Sequence, residues 1–550
     1  MSANQLEVRN RAAVRMSGLT LLSRITGFAR VVVVAAVLGT SYLGNVYQSS
    51  NAIPNILFEL FAAGALQSVL VPIMVDAIDR HRQEDAEHTA GVVLGAMVSL
   101  LAAIVAAGMV AAPWIMSILV SGVQDPAIRE AQVELGTFML WFFLPQIVFY
   151  GLNLVSTAVL NARNSFALPV FAPTVNNVVV IGVYVVFGLM RGGQAPSLEL
   201  TLAEKLVLAL GTTAGVVAFC LVPLAGLWRS GFHLRPRLEV RHPVLGRLAR
   251  EGSWAAGFLA LTQVLLVVVL VLSNRAEGGV VVYQLAFVLF MLPNSLFAVP
   301  VFTTVFPTLT RDERAGDYES FATEVGRATR SITFLTIASA AALVALSLPL
   351  AELVARGNAS AQVDEIAGAI AAFAIGLPAY SMLLFLTRVS YAYRDTPSPT
   401  LVNLGVAVVG AVAMWSFVEM ADEAHTVTAI GVGFSVAQVL GALTLAAVVR
   451  TRMHRHEVRV TAVLLPLLRS MVASAVGAVV GWLVADALLD AAGGSPVGVV
   501  MAATAVAVGA VVLALVTLAV QWLLGGPGPA AAVRSLGAAE GRVASLGARS

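Results

Sequence analysis

Apolar runs of membrane length, separated by short polar breaks, recur along the whole chain. About 20 apolar residues span a bilayer as a helix. The pattern therefore predicts helices over 13–39, 45–77, 89–121, 131–159, 166–190, 202–228, 250–274 and 278–309, then over 328–355, 365–392, 398–418, 427–449, 461–486 and 497–524. The expected fold class is an all-α polytopic integral membrane protein with about 14 transmembrane helices. Pro54 and Pro72 in the second segment, and Pro293, Pro300 and Pro307 in the eighth, each remove a backbone donor, so both long segments are expected to break. The first apolar run is long, contains arginines and ends in LGTSYLG without a cleavage site, so the N-terminus is expected to be retained.

A faint repeat runs through the pattern. AIPNILF (52–58) and MLPNSLF (291–297) share a PN-x-LF core, and each leads to a later proline in SVLVPIM and TTVFPTL. FFLPQ (142–146) leads to NARNSFALP, as IGLPAY (375–380) leads to YAYRDTPSP. Pro54 to Pro293, Pro145 to Pro378 and Arg163 to Arg394 are offset by 239, 233 and 231 residues. Six helices per half make the halves parallel, as in many transporters. The expected organisation is a first six-helix lobe over 1–228, a basic cytoplasmic linker over 229–250 and a second six-helix lobe over 251–450. Two additional helices within 451–524 and a flexible cytoplasmic tail over 525–550 complete it.

Composition agrees with this reading. Hydrophobic residues make up 59% and charged residues 12%, against about a quarter charged in soluble proteins, which excludes an ordinary soluble protein. The net charge of +2 is too small to suggest a nucleic-acid partner. Its placement is more informative: arginines gather before the first helix, after the second, and in the 229–250, 310–330 and 450–460 connections, while alternate connections are nearly bare. The positive-inside rule then predicts a multi-pass protein with both termini and the 229–250 connection in the cytoplasm. Cys220 is the only cysteine, the seven histidines fall in or beside loops, and there is no Walker A lysine, GxGxxG before a helix, HExxH or CxxC. An enzyme is not expected, nor a cofactor or a metal site.

The candidate chemistry is concentrated in residues 23–72. Arg24 and Arg30 flank Gly27 in the first helix, and each costs roughly 2.5–3.5 kcal/mol at the centre of a bilayer, so such groups face a protein interior or a water-filled cavity. They leave an ideal helix roughly 240° apart, so a shared cavity requires a distortion at Gly27 or a cavity that wraps the helix. Guanidinium is a planar fork suited to phosphate. The alternative for Arg24 is snorkelling to the interface. In the second helix Asn45, Gln48, Asn55 and Glu59 fall on one stripe, which reads either as a polar cavity wall or as interhelical hydrogen bonding. Glu59 needs a cation or water at that depth, and Arg24 or Arg30 is the expected partner. Gln146, Tyr150 and Asn153 form a weaker stripe, and Asn176 with Asn177 is a further polar pair.

SRITGFAR, then LGTSYLGNVYQSSNAIPNILFELFAAGALQSVLVP, then AAPW (111–114), LNARNSFALPVFAPTVNN (160–177) and LPNSLFAVPVFTTVFPTLTRD resemble the MurJ (MviN) lipid II flippases of the multidrug/oligosaccharidyl-lipid/polysaccharide exporter superfamily, in an actinobacterial form. The resemblance covers most of the first twelve helices and is strongest in 20–75. It implies two lobes around a central cavity, a final helix pair forming a groove for the lipid tail, and alternating access that carries lipid II from the cytoplasmic to the outer leaflet. Arg24 and Arg30 match the two arginines of the family's first helix that handle the lipid-linked diphosphate. The implied partners are lipid II or a related undecaprenyl-diphosphate-linked glycan, membrane lipids, and cell-wall synthesis or division proteins.

This chain departs from the family at Asn45, where Asp is common, and at Phe58, where many members have Arg just after the PN pair. Val288 and Met291 stand where some members carry Arg and Glu. The cavity is thus expected to be less cationic. An exporter of another lipid-linked glycan or amphiphile, and a non-transporting scaffold for cell-wall synthesis, are the alternatives.

Overall fold

The computed structural model describes residues 3–60, 74, 83–163, 165–239, 243–453, 461–491 and 498–525, with side chains omitted at 3–15, 17, 83, 243, 245, 247–255, 453 and 461–464. The expected continuation of the second helix to 77, Arg455 and Arg459 of the 450–460 connection, and the tail beyond 525 lie outside the described residues.

No strand occurs among the described residues. The helices are α1 (Ala3–Leu38), α2 (Tyr42–Phe58), α3 (Gln83–Leu119), α4 (Pro126–Phe143), α5 (Gln146–Ala162), α6 (Ala167–Arg191), α7 (Leu202–Arg229), α8 (Pro243–Ser273) and α9 (Gly279–Pro293). They continue as α10 (Val299–Ala315), α11 (Tyr318–Ala345), α12 (Ser347–Val354), α13 (Val363–Ala392), α14 (Pro397–Met420), α15 (Thr426–Met453), α16 (Thr461–Asp490) and α17 (Val499–Leu523). Among the described residues, thirteen helical segments are long and apolar enough to cross a membrane, and α2 adds 17 residues of a further one. The eighth predicted segment does break: a π-helical turn at Asn294–Ala298 follows Pro293 and separates α9 from α10.

The ends are fixed by local chemistry. Ser41 caps α2 by accepting from Gly44 N at 3.3 Å. Asp125 accepts from Ala127 N ahead of Pro126, whose missing N–H is one that the first turn of a helix leaves unbonded anyway. Thr201 and Glu204 form a reciprocal capping box on α7, and Glu204 also meets Arg191 of α6 at 3.4 Å.

The chain divides into two compact units, Met1–Val281 and Val282–Ser550. In the first, α1 packs on α6, α6 on α7, α7 on α5, α2 on α4, and α3 on α4, α5 and α8. The boundary falls beyond the 229–250 linker expected from the sequence, because α8 and the turn after it pack against the first helices. The segment 231–239 also lies on α3. Arg237 N donates to Gly91 O at 2.9 Å, and the backbone at Arg235 and Arg237 fits so closely over Gly91 and Gly95 that neither position has room for a Cβ.

In the second unit α13 packs on α15, α15 on α14, α11 on α13 and α16, and α16 on α17. Small residues bring α16 and α17 together: a Cβ on Gly481 would meet Leu513 Cβ at 2.9 Å and Gly509 O at 3.0 Å. Their outer faces carry Trp482, Leu515 and Leu523, exposed as lipid-facing side chains should be.

The repeat explains one pair of turns. In the first unit Arg163, at the end of α5, donates to Ser230 O at 3.2 Å and Ser230 Oγ at 2.8 Å beyond the end of α7, and lies over the Phe232 ring. In the second unit the matching turn places Arg394 at φ +58° and turns Asp395 inward, 2.8 Å from Arg452 at the end of α15. Asp395 Oδ2 makes no well-angled hydrogen bond, so that contact is charge against charge, while Oδ1 caps α14 by accepting from Ser398 N at 3.2 Å. Asp395→Ala is expected to cost about 1–2 kcal/mol through the lost cap. Asp395→Asn should cost less, because it keeps the accepting oxygen; thermal unfolding in detergent distinguishes them, and equal losses would place the stability in the ion pair.

Candidate functional site

α1 is continuous through Gly27, so Arg24 and Arg30 remain on different faces. Arg24 is exposed and Arg30 is half-buried. The two are therefore not a single clamp in this structure, and Arg30 is the one built into the protein. A Cβ on Gly27 would lie 3.5 Å from Asn177 Nδ2, which donates to Thr26 Oγ1 at 3.2 Å and fixes α1 against α6. The neighbouring Asn176 bridges in the other direction. Its carboxamide oxygen accepts from Arg30 Nη1 at 3.2 Å and its nitrogen donates to Gly215 O on α7 at 3.2 Å, the orientation that the surrounding donors and acceptors dictate. Gly215 makes this possible, since a Cβ there would reach the Asn176 carboxamide at 2.7 Å.

Three tyrosine hydroxyls lie within electrostatic reach of Arg30: Tyr47, Tyr150 and Tyr184. A hydroxyl within hydrocarbon costs several kcal/mol if unbonded. Two of these are satisfied by a relay: Tyr184 donates to Tyr47 at 2.7 Å, the Tyr47 hydroxyl lies 2.6 Å from Thr212 Oγ1, and Thr212 donates to Leu208 O at 2.7 Å. Tyr150 donates to Gln146 Oε1 at 3.4 Å, and Gln146 Nε2 donates to Thr213 Oγ1 at 2.9 Å. The hydroxyl protons are thus engaged with one another and with Gln146, and these neutral groups leave the nearby Arg30 guanidinium without a neutralising charge.

The expected carboxamide stripe divides. Asn45 and Gln48 do not line a cavity: Asn45 is 0% exposed and Gln48 5%. Asn45 Nδ2 donates to Ala276 O at 2.8 Å while its Oδ1 accepts from Val280 N at 2.9 Å. Beside it, Asn274 Nδ2 donates to Ser49 Oγ at 2.9 Å. Gly278, at φ +72°, packs so closely on Thr40 that a Cβ would lie 2.6 Å from its Cα, and a Cβ on Gly44 would lie 2.7 Å from Val281 Cγ2. These contacts clamp the start of α2 to the 274–280 turn between α8 and α9. Interhelical bonding, the second reading of the stripe, holds for Asn45.

Asn55 and Glu59, farther along α2, are accessible: Asn55 is exposed and Glu59 half-buried. The expected pairing of Glu59 with Arg24 or Arg30 does not occur among the described residues, where Arg30 meets Asn176 instead. Glu59 therefore does not restrain the arginines in this conformation.

Sequence reading passed over Tyr47, Tyr184 and Thr212. The signal was there in Tyr184, a lone hydroxyl within the apolar run VVVIGVYVVFGLM, where a buried partner is obligatory. A separate pocket of about 240 Å³ is lined by Glu87, His233, Arg235 and Arg237, where Glu87 Oε1 accepts from the His233 backbone N–H at 3.1 Å. It lies where the 231–239 segment meets α3 and is not part of the Arg30 site.

Comparison with known proteins gives a consistent result. The family model described as lipid II flippase MurJ matches residues 34–494. A lipid II flippase MurJ of Burkholderia cenocepacia is 28% identical over 430 residues, covering 77% of this chain and 81% of that one. A probable lipid II flippase MurJ of Rhizobium tropici is 29% identical over 415 residues, covering 74% and 76%. Among solved structures, a lipid II flippase MurJ in an inward closed conformation shares the fold with a TM-score of 0.71 at 18% identity, over 93% of this chain and 99% of that one. An inward-facing MATE-family multidrug transporter of the MOP superfamily follows at 0.66 and 14% identity, over 80% and 98%.

Proposed function

Because the chain belongs to the MurJ lipid II flippase family, we propose that it carries lipid II, an undecaprenyl-diphosphate-linked disaccharide-pentapeptide, from the cytoplasmic to the outer leaflet by alternating access. The observation that carries this reading is Arg30, a guanidinium held half-buried in a membrane helix bundle by Asn176. A cation placed so, with no carboxylate on it among the described residues, is suited to a diphosphate. Arg24, nearer the chain's N-terminus and exposed, would meet the anion first.

The arginine distribution supports an orientation with both termini in the cytoplasm. The α1–α2 and α8–α9 turns then face outward, and the Asn45 clamp closes the outer end of α2. An inside-negative potential favours outward movement of an anion by about 2.3 kcal/mol per charge per 100 mV, so transport needs no ATP in principle.

The test is reconstitution. Vesicles containing the purified chain and labelled lipid II are expected to expose lipid II on the opposite leaflet faster than protein-free vesicles, and more so under a potential of the favourable sign. Equal rates with and without protein would overturn the reading. Depletion in cells should leave lipid II on the cytoplasmic side, which a scaffold for cell-wall enzymes would not cause directly.

A further inference from the structure

Next to Arg30, within the first unit, two aromatic rings and two carboxamides converge in a way that the diphosphate site does not require. Phe58 and Tyr150 lie with ring centroids 5.6 Å apart and planes inclined at 50°. Both are half-buried and Asn55, one turn before Phe58, is exposed, so the group borders open space rather than the packed core. The Tyr150 hydroxyl donates to Gln146 Oε1 at 3.4 Å, and the Asn55 side chain lies close enough to influence it. Gln146 is itself anchored on Thr213, and Asn55 Nδ2 reaches back to Asn51 O at 3.3 Å. The tyrosine is therefore held by Gln146, and the exposed Asn55 presents amide capacity to the open side.

This combination has a definite chemical complement. A hexopyranose offers an apolar C–H face that packs on an aromatic ring and a rim of hydroxyl and acetamido groups that exchange hydrogen bonds with carboxamides. Binding sites for such molecules combine apolar and aromatic walls with a few placed polar groups. In a lipid-linked sugar diphosphate the first sugar is joined directly to the outer phosphate, so it must lie beside whatever holds that phosphate. Arg30 acts electrostatically on Tyr150, which places the ring in that neighbourhood.

We infer that Asn55, Phe58 and Tyr150 form a subsite for the sugar attached to the diphosphate, with Gln146 positioning the tyrosine. The inference rests on the flippase reading of the Arg30 site and adds the feature of the cargo that the chain recognises beyond its charge. Phe58 is then a sugar-contacting ring at a position where a cation would instead have strengthened the hold on phosphate.

The test compares two ligands that differ only in the headgroup sugar and peptide, lipid II and undecaprenyl diphosphate, binding to the full chain in lipid nanodiscs. Phe58→Leu and Tyr150→Leu are expected to weaken lipid II about tenfold, equivalent to about 1.4 kcal/mol. Undecaprenyl diphosphate should stay within about twofold of wild type. Phe58→Tyr, which keeps a ring, is expected to restore lipid II binding. Should Tyr150→Leu fail to fold, Tyr150→Phe removes only the hydroxyl and is expected to weaken lipid II about threefold with the other ligand unmoved. Arg30→Ala weakens both ligands. Equal losses for the two ligands in the aromatic variants, or equal wild-type affinity for both, would overturn the subsite while leaving the flippase reading intact. Failure of the wild-type chain to bind either ligand would overturn both.

Discussion

Arg30→Ala is expected to lower the initial rate of lipid II translocation in vesicles by about ten- to a hundredfold, the equivalent of one charge-assisted hydrogen-bonding group worth about 1.5–3 kcal/mol. The size follows from position. Arg30 is half-buried, bonded through Asn176 to the backbone of α7 at Gly215, and within electrostatic reach of Tyr47, Tyr150 and Tyr184. In that setting solvent screening is reduced and the charge is already oriented, so little is lost to reorganisation when an anion arrives. Arg30→Lys keeps the charge without the planar fork and should fall between wild type and alanine. Arg24→Ala is expected to cost about threefold, since an exposed cation is screened and free to hydrate. A double Arg24→Ala, Arg30→Ala variant that transports lipid II at the wild-type rate would remove the site altogether.

The second large effect is on the clamp at the start of α2. Asn45→Leu leaves Ala276 O and Val280 N buried without their partner, and each such group costs about 1–3 kcal/mol. A marked fall in the thermal midpoint in detergent is expected. Asn45→Asp should lie between, because a carboxylate can still accept from Val280 N but can only repel Ala276 O. The single native cysteine, Cys220, is buried, which leaves a clean background for labelling. With Ala276→Cys, at a position 2% exposed, maleimide reactivity is expected to be slow in the Asn45 background and severalfold faster with Asn45→Leu. Unchanged reactivity and midpoint would show that the 274–280 turn is held by its apolar packing alone.

The two predictions concern consecutive helices, α1 and α2, and they mark where sequence reading succeeded and where it did not. The membrane helices were legible because lipid imposes a length and an apolar content on every span. Arg24 and Arg30 stood out because charge in hydrocarbon is costly. The stripe Asn45, Gln48, Asn55 and Glu59 was legible as a stripe, but its use was not. One face of a helix can be sealed against a neighbour at one end and open at the other, and periodicity is identical in both cases. The partner of Asn45 lies some 230 residues away, |i−j| being 231 for Ala276 and 235 for Val280, beyond any local pattern.

The same distinction separates the arginines. Position along the chain left both as candidates, with snorkelling the alternative for Arg24, and a straight helix sent them to different surroundings. Asn176 decided which of them is held, and it does so from α6, with Gly215 of α7 supplying both the acceptor and the space.

By itself, then, the sequence determined that the chain is helical and spans the membrane many times, that it contains an internal repeat, and that its unusual charges sit in the first helix, all of which follow from local energetic costs paid residue by residue. Tertiary structure alone decided that Arg30 is the built cation, that Asn45 is a fastener and not a cavity wall, and that Glu59 leaves the arginines unrestrained among the described residues. These are matters of which distant groups satisfy a buried polar atom, and hydrogen bonding across helices is set by how the helices pack.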